Sequence, residues 1–202
     1  MAKIKLTKTE LKAQSDALKR FQRFLPMLQL KKQQLQAEIA AIVARLEEVS
    51  AREQDALREL DGWVALFADA GDEMRSLVSV ERVETDTANI AGITIPVFKR
   101  LDTAVSEYDL FAAPVWYDDA VEMVTKMLSL KAERVVLARQ RDLITQELTT
   151  TSQRVNLFEK VKIPECRENI RVIKIAIGDE QTASVTRGKI AKGRSKGEGD
   201  AA

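Results

Sequence analysis

Apolar residues recur through the first third of the chain at alternating spacings of three and four. This spacing repeats every seven residues, which is the pattern of a coiled-coil seam. The first glycine is Gly62, so the pattern predicts one long, uninterrupted helix. Its predicted seam residues are Leu11, Leu18, Leu28, Leu35, Ile39, Ile42, Leu46, Val49 and Leu60.

A proline lies inside this helix at Pro26. Proline removes one backbone hydrogen bond, so we expect a bend there. We expect no break, because the heptad phase is the same on both sides. A second stripe begins near Tyr117 and runs to a kink near Pro164, with a further apolar face at Ile170, Ile173 and Ile177. The seam residues of this second helix are Met123, Leu130, Leu137, Ile144, Leu148, Val155 and Phe158.

The region between the two stripes changes character. Residues 76–84 and 90–98 are rich in β-branched residues and alternate in polarity, which predicts two strands, and residues 107–111 suggest a third. Residues 86–89 carry turn-forming side chains. The predicted fold is mainly α: a long antiparallel two-helix coiled coil of the N- and C-terminal helices, with a small β-hairpin-containing middle region at its closed end.

The pattern predicts four segments. Residues 1–67 form the N-terminal long helix, 68–116 the middle region with short strands, and 117–177 the C-terminal long helix with a kink near Pro164. Residues 178–202 form a flexible basic tail, because Gly178 weakens the helix and glycines and charged residues follow.

Each apolar stripe needs a partner surface that removes it from water. Burying one Leu or Ile side chain stabilises a protein by roughly 1.5–3 kcal/mol, so a seam left exposed to water would cost tens of kcal/mol. Pairing within the chain hides both stripes, and a homodimeric coiled coil is the alternative that the pattern leaves open. Antiparallel pairing predicts that Glu53 and Arg134, each a polar interruption of a seam, lie side by side.

Charge is unevenly distributed, although the net charge is +1. Residues 1–60 carry 12 basic and 8 acidic side chains, residues 61–130 carry 5 and 13, and residues 131–202 carry 15 and 10. Antiparallel pairing therefore gives a basic tip opposite an acidic closed end. A nucleic-acid grip is one interpretation of that tip, but no aromatic residues interleave with the C-terminal basic run, so we expect no nucleic-acid binding.

Chemistry-bearing residues are scarce. The chain has no histidine, which removes the commonest general base and metal ligand, and no glycine-rich phosphate loop is present. The one cysteine, Cys166, lies in a helical region and allows no internal disulfide. We expect no catalytic, cofactor or metal site. No apolar run is long enough to span a membrane and no signal peptide is present, so we expect a cytoplasmic protein without direct membrane insertion.

Three regions resemble one known family. They are residues 4–11 (IKLTKTEL) with 28–35 (LQLKKQQL), residues 91–96 (AGITIP), and residues 154–164 (RVNLFEKVKIP) followed by the pair Ile173 and Lys174. In this order they are similar to the D subunits of V-type ATPases and V-type ATP synthases. The C-terminus departs from the family, whose members often continue in a charged helix where this chain has Gly178.

The resemblance implies a non-catalytic rotor shaft in the central stalk, peripheral to the membrane on the cytoplasmic side. Such a shaft couples ATP hydrolysis or synthesis in the head of A and B subunits to proton or other ion transport through the membrane ring. The implied partners are the A and B subunits, the F subunit and the connector subunit of the ring. We hypothesise that the basic tip rides against acidic loops of the head through Lys8, Lys12, Lys19, Arg20 and Arg23.

Other functions give a similar pattern. The main alternative is a free-standing coiled-coil hairpin that acts as an adaptor or as a secretion-apparatus stalk, and it would not purify with ATPase subunits. A nucleic-acid-associated coiled coil would show strongly salt-dependent binding.

Overall fold

The computed structural model describes residues 4–62, 77–108 and 113–199, with residues 193–199 described by their backbone alone. The elements follow in the order helix α1 (Lys8–Asp61), strands β1 (Val78–Ile90) and β2 (Ile93–Val105), helix α2 (Tyr117–Leu157), a π-helical turn (Phe158–Lys162) and helix α3 (Ile163–Gly199). The predicted fold class, mainly α with a hairpin in the middle, is confirmed.

Helix α1 begins after Thr7, whose hydroxyl oxygen accepts a hydrogen bond from the Glu10 backbone N–H at 3.3 Å. This is the N-cap arrangement that satisfies a free donor in the first helical turn. The helix continues through Pro26, so the expectation that proline would not end it is confirmed. It ends at Asp61, directly before Gly62. Residues 63–67 of the predicted helix and the predicted middle residues 68–76 lie outside the described residues.

The hairpin differs in two ways from the prediction. Both strands are longer than expected, and residues 86–89, predicted as the turn, lie inside β1. The turn is formed by Ala91 and Gly92, which both have positive φ angles (51° and 85°), as a two-residue turn of a right-twisted hairpin requires. The Asn89 side-chain oxygen accepts a hydrogen bond from the Gly92 backbone N–H at 3.0 Å. Asn89 therefore supports the turn without lying in it.

The suggested third strand at residues 107–111 is not formed at residues 107 and 108, and residues 109–112 lie outside the described residues. The sheet of the described chain has two antiparallel strands, with irregularities in register between Val80 and Arg82 and between Glu84 and Thr85. Such irregularities increase the local twist and make an exposed strand edge a poorer template for pairing with another chain.

The second helical segment is longer than predicted. Helix α3 continues past Gly178 to Gly199, so the backbone is helical where the pattern predicts a tail from residue 178. A glycine inside a helix costs only about 1 kcal/mol, which neighbouring helix formers outweigh. The threonine hydroxyls of Thr182 and Thr186 also donate to the carbonyls of residues 178 and 182, within the helix. Near Pro164 the helix contains the π-helical turn.

The chain divides into two compact units. Unit 1 holds the residues up to Leu30 and those from Thr151 onward, and unit 2 holds Lys31–Thr150, including the hairpin. The core of unit 2 combines buried residues of α1, β2 and α2, which are Leu35, Ile42, Val49, Ala56, Ile95, Leu130, Leu137 and Ile144. In unit 1 the buried residues lie on the second helical segment, which comprises α2, the π-helical turn and α3. They are Thr151, Val155, Ile163, Cys166 and Ile173. Among the described residues, no helix is both long enough and apolar enough to span a membrane.

Candidate functional site

The seam between α1 and α2 is the main structural feature of unit 2. Leu35 and Ile144 are 0% exposed, and Val49 is 1% exposed. Heptad spacing places one such residue on each second turn of α1, so the same face of the helix is buried throughout the unit. Every predicted seam residue of the chain is buried or half-buried, in both units.

Four ion pairs join α1 to α2 across this seam. Arg134 Nε lies 3.0 Å from Glu53 Oε2, so the predicted pairing of these two residues is confirmed. The Glu53 side chain is only 13% exposed, whereas Arg134 reaches toward water. The other three pairs are Lys31–Glu147 at 2.6 Å, Arg52–Glu133 at 3.4 Å and Lys126–Glu59 at 3.0 Å. Early residues of α1 pair with late residues of α2, which is antiparallel pairing.

The hairpin is fastened to α2 inside unit 2. Ile95 of β2 is 2% exposed in the shared core. The buried side-chain amide of Gln140 donates a hydrogen bond to the Pro96 carbonyl. This hydrogen bond, from a buried amide to a backbone carbonyl, holds the strand at one position along the helix. Gln140 was not predicted from the sequence. The only sign of it there is that a polar residue, followed by Arg141, stands on a helix face that is otherwise apolar.

An apolar groove lies where the hairpin meets α2. It has a volume of about 490 Å³, and most of its lining is aliphatic. Val80, Val83 and Val135 are exposed at the groove, and Val135 is 63% exposed. Because these exposed apolar side chains lie together, the groove is a candidate contact surface. This surface was not predicted from the sequence, because its residues come from three separate elements.

Acidic and basic side chains of the hairpin form a network of ion pairs. Glu84 accepts hydrogen bonds from Lys99 Nζ at 2.9 Å and from Arg100 Nε at 2.6 Å. These two bonds, strengthened by the positive charges, hold the pKa of the Glu84 carboxyl below its ordinary value. Arg100 also lies 3.3 Å from Asp102. The network joins β1 to β2 by cross-strand pairs.

An aromatic cluster lies at the start of helix α2. The rings of Tyr108 and Tyr117 meet edge to face with centroids 5.8 Å apart, and those of Trp116 and Tyr117 at 4.9 Å. The Tyr108 hydroxyl donates a hydrogen bond to the Asp118 carboxylate, and this bond raises the pKa of the tyrosine. Beside the cluster, Val115 is 98% exposed. An apolar side chain therefore faces solvent beside the aromatic rings.

The predicted basic tip lies on α1 in unit 1. Lys8, Lys12, Lys19, Arg20 and Arg23 are all exposed. At 100° per residue, four of them fall within an arc of about 60° and Arg20 stands farther round the helix. Together they form a mostly positive face, interrupted by the exposed Asp16 and here called the basic face. Its contact with a partner stays a prediction. Of the C-terminal basic residues, Arg187, Lys189 and Lys192 are exposed on α3, and the side chains of Arg194 and Lys196 lie outside the described residues.

In unit 1, the start of α1 packs against the second segment. The rings of Phe21 and Phe158 have centroids 5.0 Å apart, and Asn169 donates a hydrogen bond to the Gln14 side-chain oxygen at 3.4 Å. Cys166 is buried in this unit. Burial, reinforced by the neighbouring Glu165 carboxylate, raises the pKa of the Cys166 thiol, which makes it a poor nucleophile at neutral pH.

Candidate chemistry is sparse. Among residues 4–62, 77–108 and 113–199, no three His, Cys, Asp or Glu side chains are grouped so as to hold a metal ion. The features that stand out are therefore contact surfaces: the seam, the groove and the basic face.

Comparisons with known proteins point to one family. Residues 10–193 match the family model for the D subunit of ATP synthase. The chain is 43% identical over 192 residues to the V-type ATP synthase D subunit of Borreliella burgdorferi, covering 95% of both chains. It is 32% identical over 193 residues to the V-type ATP synthase D subunit of Chlamydia trachomatis serovar L2, again covering 95% of both chains. The protein of the same description from Chlamydia pneumoniae is 29% identical, over 94% of this chain and 91% of that one.

Proposed function

The chain belongs to the family of ATP synthase D subunits, and from this premise we propose that it is the central rotor shaft of a V-type ATP synthase. In this role it couples ATP hydrolysis or synthesis in the head of A and B subunits to ion translocation through the membrane ring. It carries no catalytic residue of its own. Each nucleotide site of the head is biased by its differential contacts with the shaft, since a contact shifts an equilibrium only by favouring one state.

The observation that carries the proposal is the locked antiparallel pairing of α1 and α2. A body that transmits torque has to prevent its two helices from sliding past each other. The buried seam around Leu35 and Ile144 supplies the cohesion. The ion pairs add little energy, because exposed pairs contribute about 0–1 kcal/mol, but they favour one register. Gln140 and Ile95 tie the hairpin into the same core.

Reversible cross-linking tests the proposal. All variants carry Cys166→Ala, so that introduced cysteines are the only thiols in this chain. In the assembled complex, Lys12→Cys cross-linked to a cysteine in the facing head loop should abolish ATP turnover, and reduction should restore it. The control joins the two helices of the shaft to each other through Glu53→Cys and Arg134→Cys, using a short thiol cross-linker. Their native side chains meet at 3.0 Å.

The internal cross-link should leave ATP turnover unchanged, because a shaft that rotates as one body needs no motion between α1 and α2. Undiminished turnover with the head cross-link in place would refute the rotor role. Loss of turnover with the internal cross-link in an intact complex would show that the helices have to move against each other.

We further propose that the basic face rides against acidic loops of the head. Reversing Lys8, Lys12, Lys19 and Arg23 to Glu together should weaken the coupling of ATP hydrolysis to ion transport at physiological salt. The matched control also reverses four charges, at Arg154, Lys160, Arg167 and Lys174, which are exposed in the same unit outside α1. Equal coupling in the two variants would argue against a role of the basic face.

The apolar groove of unit 2 is the proposed docking site of the F subunit. Its exposed valines, Val80, Val83 and Val135, fit an aliphatic partner surface. Val83→Glu with Val135→Glu should abolish co-purification of the F subunit. Val43→Glu, at an exposed valine of α1 outside the groove, should not. Retention of the F subunit by the groove variant would exclude this site.

The aromatic cluster and Val115 form the proposed contact with the connector subunit of the membrane ring. Val115 is exposed next to the aromatic rings, two residues before the start of α2. Val115→Asp should release the head and shaft from the ring while leaving the F subunit bound. A fully attached complex would contradict this assignment.

A further inference from the structure

The seam of unit 1 changes phase on the second helical segment. Continued from Phe158 at seven-residue spacing, the seam would bury Glu165 and then Val172. The structure instead buries Cys166 and Ile173, each one residue later, and leaves Glu165 and Val172 exposed. One extra residue has therefore entered the helix between Phe158 and Cys166.

The extra residue lies in the π-helical turn Phe158–Lys162. The Ile163 backbone N–H donates its hydrogen bond to the Phe158 carbonyl, five residues back and not four. A π-helical turn holds one more residue than an α-helical turn, so every later side chain is displaced by one position around the helix. That displacement equals about 100° of rotation.

Pro164 favours a wider turn at this place, although α1 passes Pro26 without one. Proline has no N–H to offer the Lys160 carbonyl, and in a regular α-helix its ring would clash with that carbonyl. A wider turn directly before the proline moves the carbonyl away from the ring. A helix that has to pass a proline and also insert a residue can do both in one turn.

Packing against α1 continues on both sides of the turn. At its first residue, Phe158 packs against Phe21 at 5.0 Å between ring centroids. Beyond it, Asn169 donates a hydrogen bond to Gln14. The turn is thus not a frayed interruption, because the two segments stay paired across it.

We infer that the π-helical turn shifts the buried seam of the helix by one residue. As a result α3 packs on α1 through Cys166 and Ile173, and Glu165 and Val172 face outward. The turn thereby decides which face unit 1 presents to any partner. This inference concerns the chain alone, and it does not depend on the rotor role.

Thiol reactivity in the full-length chain tests the phase directly. The native Cys166 is compared with Glu165→Cys in a Cys166→Ala background, and Ile173→Cys with Val172→Cys in the same background. Positions 165 and 172 should react with an aromatic disulfide reagent at least about tenfold faster than positions 166 and 173, because local opening has to precede reaction at a buried thiol. Equal rates within each pair, or the reverse order, would overturn the inference.

Deletion provides a second test, in a Pro164→Ala background that removes the need for the wide turn. Deleting Glu159, exposed inside the turn, should restore a continuous α-helix with an unbroken seam and keep Tm within about 3 °C of the background. The matched control deletes Glu168, which is also exposed. If the π-helical turn persists, this deletion puts the seam beyond residue 168 out of phase. If the turn is lost, Lys162 and Glu165 enter the seam. Either outcome should lower Tm by about 5–10 °C. An equal loss in both deletions would overturn the inference.

Discussion

The two units bury the same helix to different depths. In unit 2, Leu35 of α1 is completely buried, and it belongs to a core that combines residues of α1, α2 and the hairpin. In unit 1, Leu28 occupies the same seam row one heptad earlier and is only half-buried. Nearby, Phe24 is 48% exposed and Met27 is 61% exposed.

The difference shows what the hairpin contributes. Two paired helices bury only a narrow seam and leave the flanking apolar residues exposed to solvent. A third element packed along the helices buries one side of that seam as well. Unit 2 therefore has a core of its own. Unit 1 exposes apolar side chains beside the basic face, which suits a segment that is enclosed by another protein, as the head would enclose a shaft.

The largest expected effect comes from truncating matched leucines. Leu35→Ala should lower the free energy of unfolding by about 3 kcal/mol, because it leaves a cavity in a closed core. Leu28→Ala should cost about 1–1.5 kcal/mol, since its side chain is already partly in water. Urea unfolding of the two full-length variants measures both values. Equal losses would remove the distinction between the units.

Removing the hairpin fastening should have the next largest effect. Gln140→Leu leaves the Pro96 carbonyl without its donor and should cost about 1–3 kcal/mol. Compared with the native chain, this variant should show a larger increase in amide hydrogen exchange in β2 than in α1. Gln146→Leu, at an exposed position of the same helix, is the control. If both variants exchange alike, Gln140 does not fasten the hairpin.

The ion pair between Glu53 and Arg134 should contribute less. A double-mutant cycle with Glu53→Gln and Arg134→Gln should give a coupling energy of about 0.5–1 kcal/mol, because only Glu53 is well shielded from water. The longer and more exposed Arg52–Glu133 pair should give less. A larger coupling for that second pair would contradict the assignment of register to Glu53 and Arg134.

The smallest effect should come from acidification of the hairpin. The pKa of Glu84 is lowered in the folded state, so its contribution is complete above its ordinary value of 4.5 and is lost as the pH falls through the folded value. Chemical shifts of the Glu84 side chain should titrate below that value. The difference in stability between the native chain and Glu84→Gln should shrink over the same range. A titration at the ordinary pKa would rule out the network in solution.

The sequence predicts the helices well because their signal is periodic. Seven-residue spacing identifies α1 and α2, and antiparallel pairing brings Glu53 to Arg134. The hairpin is predicted only approximately. Much of β1 faces solvent and carries charged residues, so its length depends on cross-strand pairs such as Glu84 with Lys99, which no local pattern reveals.

The surfaces are harder to predict than the fold. Gln140 binds a backbone carbonyl from a distant strand, and a single sequence carries no trace of that partner. The phase shift is visible in principle, since the step from Phe158 to Cys166 is eight residues and the next step, to Ile173, is seven. Pro164 alone suggests a kink and not an inserted residue.

Rotation of the chain inside its head tests the rotor role most directly. Glu48, exposed on α1, is changed to Cys in the Cys166→Ala background and carries a visible marker, while the A and B head is fixed to a surface. On addition of ATP the marker should turn continuously in one direction, and it should stop when ATP is removed. A marker that stays still on a head that hydrolyses ATP and retains this chain would contradict the account.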